Sequence, residues 1–346
     1  MKKIIVEHLK RYPDMQIQDM VKLLYQSEFG NGHMVSDPED TLKLLKQEYS
    51  TVVGSRSEVS PAVEAIGGDY CRVYLNQLPQ GLTLETLNKI FVLSTHRAGS
   101  DQRQFEEKLE LLQQCVREGL CDWNEQDVAE YLERYREQEY PVVSHTESYR
   151  QKYHPSYRVI SEDYAAWLHV FADIDQFLGG TDEAPVLAAI DGQCASGKTT
   201  LAELIRQVYD CNVFHMDDFF LRPEQRTPQR LAEVGGNVDY ERFREEVLTP
   251  LDSGRPFTYQ VYDCRTQTLA KVEDVPVKRL NIVEGAYSRH PYFGSCYHLE
   301  YCLTIDQNEQ RNRILKRNGA DMLRRFESEW IPMENAYLTK FGIAKL

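Results

Sequence analysis

Apolar residues recur at three- and four-residue intervals through most of the first half of the chain. The pattern runs through "IQDMVKLLYQSEF" (17–29), "PEDTLKLLKQEY" (38–49), "TLETLNKIFVLSTH" (83–96), "RQFEEKLELLQQCVREG" (103–119), "DVAEYLERYREQ" (127–138) and "EDYAAWLHVFADIDQFL" (162–178). That spacing lays one apolar stripe along a helix, so residues 1–178 are expected to form a mainly α-helical domain. "YCRVYLNQL" (70–78) reads as a strand set among these helices.

The pattern changes after "LGGTDEAPV" (178–186), whose glycines, acids and proline mark a linker. Beyond it, "PVLAAI", "CNVFHM", "RLNIVEG" and "YHLEYCLTI" are short runs that are apolar on both sides, as buried parallel strands are. "GKTTLAELIRQVY", "DYERFREEVLTPL" and "NEQRNRILKRN" carry helical periodicity between or after them, and "FTYQVYDC" with "LAKVEDVPV" reads as a hairpin. Alternation of strands and helices predicts an α/β domain over 179–346, a parallel sheet with flanking helices. The 346-residue length suits two such domains.

Composition narrows the function classes. The formal net charge of -14 gives no global attraction to nucleic acid or anionic membrane, so neither is an expected partner. No stretch is apolar enough to span a bilayer, and "MKKIIVEHLKRYPDMQ" lacks a signal-peptide core, so a cytoplasmic location is the expectation. Eight cysteines are scattered without a C-x-x-C or zinc-type spacing, which suits reduced, packed thiols.

One stretch carries a definite chemistry. Residues Gly192, Gln193, Cys194, Ala195, Ser196, Gly197, Lys198 and Thr199 fit G-x-x-x-x-G-K-[ST], placed after a strand and opening a helix, with Thr200 next. Backbone N–H groups of such a loop converge on an anion, with the positive end of the helix dipole behind them. Lys198 adds a mobile charge for β- and γ-phosphates, and the Thr199 hydroxyl can ligate Mg²⁺. The expected cofactors are therefore ATP and Mg²⁺. A guanine-reading N-K-x-D and a transporter-type L-S-G-G-Q are both absent, which leaves phosphoryl transfer to a small acceptor.

Two strand ends add acids at the edge where ligands sit in parallel sheets. "CNVFHMDDFFL" ends one strand with Asp217 and Asp218, either of which could orient an acceptor hydroxyl and take its proton; Asp217 is also a candidate on the metal side. "RLNIVEG" ends another with Glu284, a metal partner direct or through water. The helix after the last strand carries Arg313 and Arg317 four residues apart, cations suited to migrating charge and to a lid.

Taken together, "DGQCASGKTTLA", "VFHMDDFF", "GNVDYERFREEVL", "VYDCRTQT", "NIVEGAY" and "RNRILKRN" stand in the order seen in the uridine kinase and phosphoribulokinase-like group of P-loop kinases, which this chain resembles over about residues 184–320. The resemblance implies a P-loop NTPase-type fold. It implies Asp217 as the base, Asp239 holding ribose hydroxyls, Tyr262, Asp263 and Arg265 beside the nucleobase, and Arg313 and Arg317 in the lid. Cys264 and Gln267 stand where the family has Phe and His against the pyrimidine. Uridine or cytidine is the first acceptor expected; nicotinamide riboside or another ribosyl or polyol alcohol is the alternative. From a different class, an ATP-sensing regulatory protein without an acceptor is a rival reading. Self-association into a homo-oligomer is compatible with each. In the N-terminal half the candidates are "FGNGHMV" around His33 and "HTESYRQKYHPSYRVI" (145–160).

Overall fold

The computed structural model describes residues 1–31, 37–54, 61–95, 101–181 and 184–343; His33 lies outside them. The chain divides into two compact units, Met1–Asp175 and Gln176–Leu346.

The first unit opens with helices α1 (Lys2–Arg11), α2 (Ile17–Phe29) and α3 (Pro38–Val52), followed by strands β1 (Val63–Gly67) and β2 (Tyr70–Tyr74). Helices α4 (Leu84–Ser94), α5 (Gln102–Arg117), α6 (Glu125–Glu137) and α7 (Glu147–Tyr153) come next, then β3 (Tyr157–Ser161), the single turn α8 (Glu162–Ala165) and α9 (Leu168–Leu178), whose last three residues fall past the division at Asp175. The helices begin where side chains can take up their orphan amides: Asp37, Thr83, Asp101, Asn124 and Thr146 each accept a backbone N–H of the first turn. The apolar stripes meet in one core that includes Met20 and Leu24 of α2, Phe105 and Leu109 of α5 and Leu132 of α6.

Strand β2 is the one the pattern marked. It lies between β1 and β3 in an antiparallel sheet. Those two neighbours span five residues each, too few for alternation to separate them from loop or helix edge. The stretch 145–160 supplies both α7 and β3.

The second unit is α/β. Its elements are β4 (Val186–Gly192), α10 (Lys198–Val208), β5 (Cys211–His215), α11 (Pro228–Leu231), α12 (Tyr240–Phe243), α13 (Thr249–Asp252), β6 (Phe257–Asp263), β7 (Thr268–Val275), β8 (Leu280–Glu284), β9 (Leu299–Leu303), α14 (Gln307–Arg325) and α15 (Ile331–Lys340). Strands β5, β8, β4 and β9, in that order, make a parallel sheet, and β6 pairs with β7 as an antiparallel hairpin. All residues of β4 and β8 are buried, which is why they read as unbroken apolar runs.

Register levels the carboxyl ends of the strands. Ile190 pairs with Glu284, Glu284 with His215, and Gly192 with Leu303. The chain leaves β4 for β5 on one side and β8 for β9 on the other, so the crevice at these ends lies at a switch in strand order. Helix α14 breaks at Gly319, whose φ of 81° and ψ of 173° are not helical. No helix among the described residues is long and apolar enough to cross a membrane.

Candidate active site

The loop between β4 and α10 is shaped by backbone conformations that few side chains tolerate. Gly192 has φ 133°, and a Cβ there would lie 2.0 Å from the carbonyl oxygen of Leu303. Only glycine lets β4 end so close to β9. Gly197 caps α10 at φ 101°, and Ala195 sits at φ 60°. Lys198 is buried at the first position of α10, and its Nζ donates to the carbonyl oxygens of Gly192 and Gln193, 2.8 Å from each. Among the described residues Ser196 Oγ is buried without a hydrogen-bond partner. A phosphate chain fits these groups, since an oxyanion would satisfy the orphan hydroxyl and the amides at the helix start. Thr200 continues α10 on its exposed side.

Next to the loop stand hard oxygen donors. The Thr199 hydroxyl lies 3.2 Å from both carboxylate oxygens of Glu284, and the His215 Nδ1 lies 2.6 Å from Glu284 Oε1. Glu284 is buried at the end of β8. Among the described residues no group of three or more His, Cys, Asp or Glu could cage a metal alone. Mg²⁺ uses one or two protein oxygens beside phosphates and water, and Thr199 with Glu284 fits that requirement.

Asp217 follows β5 in a short 3-10 turn, Met216–Phe219. Gly285 fixes this neighbourhood: at φ 135°, a Cβ on it would meet Met216 Cβ at 2.7 Å, so the turn after Glu284 presses on the turn that carries Asp217. Partial burial, and then the charge of Glu284, push the Asp217 carboxyl above its usual range, against the pull of Lys198, His215 and Arg317. Asp218 is pushed up by burial too, against the Tyr259 hydroxyl, which donates to its Oδ2 at 3.1 Å. Of the two acids, Asp217 carries no hydrogen bond from the protein among those described, whereas Asp218 is tied to β6 through Tyr259.

The remaining sequence candidates fall in three places. Arg313 donates to the carbonyl of Ala195 in the loop (3.2 Å), and Arg317, one turn on, is close enough to Asp217 to bear on its charge. Asp239 is buried and already engaged. It caps α12 through the Arg242 amide (3.1 Å), accepts from Gln225 Nε2 (2.8 Å) and lies 3.7 Å from Arg242 Nε. Tyr262 is buried at the hairpin, and its hydroxyl accepts from Arg226 at 2.6 Å. Asp263 accepts from the Arg265 amide at the hairpin tip, where the Arg265 side chain is exposed. Cys264 of the same turn stands within electrostatic reach of Asp217.

The sequence reading missed residues that hold the loop. Asp191, fully buried, accepts from the amides of Gly192, Tyr287 and Arg289 and from the Tyr337 hydroxyl at 2.6 Å. Glu334 Oε2 accepts from the Cys194 amide at 2.8 Å, Asn335 Oδ1 from Gln193 Nε2 at 2.9 Å, and Gln310 Nε2 donates to the Cys194 carbonyl. Burial raises the Glu334 carboxyl, opposed by Lys198. The only sequence signal for Asp191 was an acid ending a strand just before the glycine, and "IPMENAYLTK" offered no stripe clear enough to mark α15. A cleft of about 540 Å³ opens from Gln193 between Thr304–Gln307 after β9 and Asn335, Leu338 and Thr339 of α15.

No protein-family model and no curated protein matches the chain. Among solved structures the chain is similar to one described as a possible uridine kinase from Bacillus stearothermophilus, at 20% identity and a TM-score of 0.35, over 46% of this chain and 94% of that one.

Proposed function

We propose that the C-terminal unit is an ATP- and Mg²⁺-dependent kinase that transfers the γ-phosphoryl group to a hydroxyl of a small molecule. One observation carries the reading: strand register brings the Lys198 loop, the Thr199–Glu284 pair and the unengaged carboxylate of Asp217 to a single sheet edge. Lys198 and the loop amides hold the β- and γ-phosphates, and the cleft beside Gln193 receives the nucleoside part of the donor. Mg²⁺ bound at Thr199 and Glu284 would neutralise developing phosphate charge. Asp217 accepts the proton of the acceptor hydroxyl as its oxygen bonds to the γ-phosphorus, while the bond to the β-phosphate oxygen breaks and ADP departs. Arg313 and Arg317 lie over the migrating charge and restrict water.

A pyrimidine nucleoside is the first acceptor class. Two observations favour the second, nicotinamide riboside or another ribosyl or polyol alcohol: Asp239 spends its carboxylate inside the fold, and Cys264, not an aromatic ring, stands within electrostatic reach of Asp217.

The test is acceptor-dependent ADP release over a panel of uridine, cytidine, nicotinamide riboside and simple polyols. One member is expected to stimulate release, and Lys198→Ala to lower it about 100-fold or more. A silent panel together with tight ATP binding would end the kinase reading in favour of a nucleotide sensor.

A further inference from the structure

The glycine-framed loop after β4 contains one conformation that its own side chain does not favour. Ala195 sits at φ 60°, where a Cβ crowds the following carbonyl. Such a backbone persists only where surrounding groups hold it. Cys194, just before it, has both polar groups of its main chain taken by helices from the end of the chain. Its amide donates to Glu334 Oε2 of α15 at 2.8 Å, and its carbonyl accepts from Gln310 Nε2 of α14 at 3.0 Å. On the near side the Gln193 side chain donates to Asn335 Oδ1 at 2.9 Å and accepts from the Ile305 amide at 3.1 Å.

Glu334 and Gln310 are both buried, and the phosphoryl-transfer steps use neither. An acid buried beside a loop that suits a triphosphate has lost its water, and its charge opposes the phosphates. What it supplies in return is an acceptor for the Cys194 amide. Among the described residues no backbone carbonyl accepts from the amides of Ala195, Gly197, Lys198, Thr199 or Thr200, whereas the Ser196 amide closes a turn onto the Gln193 carbonyl at 3.2 Å. Fastening the chain at Cys194 therefore keeps the bend at Ala195 while the amides after it stay open to an oxyanion.

We propose that Glu334 and Gln310 are positioning residues for the donor nucleotide, holding the amide and carbonyl of Cys194 so that the bend at Ala195 is in place before the triphosphate arrives. The inference rests on the kinase reading. Preorganisation of this kind shows as affinity, because the ligand does not have to order the loop itself.

The experiment titrates MgATP by calorimetry into the full chain and its variants. Glu334→Ala and Gln310→Leu should each weaken binding about tenfold, the scale of one lost hydrogen bond. Glu334→Gln keeps an acceptor oxygen for the Cys194 amide and removes the charge, so it should bind MgATP at least as tightly as the parent. Ala195→Gly relieves the bend of its strain, so adding Glu334→Ala to it should weaken binding only about threefold or less. Where Glu334→Ala does not fold, Gln310→Leu with and without Ala195→Gly makes the same comparison. The inference is overturned if Glu334→Ala and Gln310→Leu bind like the parent, if Glu334→Gln loses as much as Glu334→Ala, or if Ala195→Gly leaves the loss undiminished. A parent that binds no MgATP ends the kinase reading and this inference with it, whereas a parent that binds no better than its variants ends this inference alone.

Discussion

Both units gather charge, and they do so in opposite ways. In the C-terminal unit the charged groups stand on the ends of parallel strands, and Asp217 keeps a face toward solvent. In the N-terminal unit Asp19, Glu64 and Arg72 are sealed inside, each wrapped by donors, acceptors or rings from several elements. Of the strand-end acids, Asp217 is exposed and free to act on a ligand, whereas Glu284 and Asp191 beside it are buried. A sealed charge has lost its water, so removing one partner leaves the other uncompensated at about 3–5 kcal/mol. Substitutions should therefore read out as lost chemistry in one unit and lost stability in the other.

The largest effect that would sharpen this contrast comes from Asp217→Asn. Turnover of the true acceptor should fall about 100- to 10,000-fold, the range for a lost general base, with ATP affinity retained. Steady-state kinetics and a nucleotide-binding titration check both halves, and wild-type turnover would remove Asp217 from the base role.

Next in size is an acid-linked loss of stability in the N-terminal unit. His145 in the folded chain takes up a proton only near 4, because burial disfavours its charged form. The unfolded histidine does so near 6.5, so as pH falls the unfolded state binds the proton first. This contribution is intact above about pH 7 and drains away between 6.5 and 4, by roughly 3 kcal/mol in all. Denaturant titrations at pH 7 and pH 5 should show the decline, and His145→Gln should flatten it.

A smaller change is expected from Glu284→Gln, which keeps the shape of the site but weakens an oxygen donor on the metal side. The Mg²⁺ concentration needed for half-maximal rate should rise about 10-fold. An unchanged requirement would place the metal elsewhere.

The smallest change separates an internal role from an acceptor role at one residue. Asp239→Asn preserves a good capping side chain, and acceptor KM should stay put. A KM raised by an order of magnitude, with the fold intact, would mean that Asp239 reaches the acceptor after all.

What could be read directly from the chain was local. The loop Gly192–Thr199 is contiguous, and its glycines and lysine act through backbone conformations that neighbouring residues set. Asp217 and Glu284 could be placed because an apolar run that stops at an acid marks a strand end. Residues that act through distant partners were not legible. Glu334 and Tyr337 brace the loop from about 140 positions further along the chain. Asp239 reads as an acid near a cleft until Gln225 and Arg242 are seen to occupy it. Arg72 falls in a strand that was recognised, but nothing in its neighbours announces a buried guanidinium, since the groups around it come from α2, β1, α7 and β3.

The sequence by itself determined the helical stripes of the first half, the buried strands of the second and the glycine-framed loop between β4 and α10. Each of these depends on residues within a few positions of one another, where side-chain size, periodicity and backbone freedom are enough. The tertiary structure alone decided which acids remain open and which are consumed, because that depends on donors delivered by elements far apart in the chain. Burial strengthens every such pairing and penalises every group left without one, and no window of sequence contains both partners.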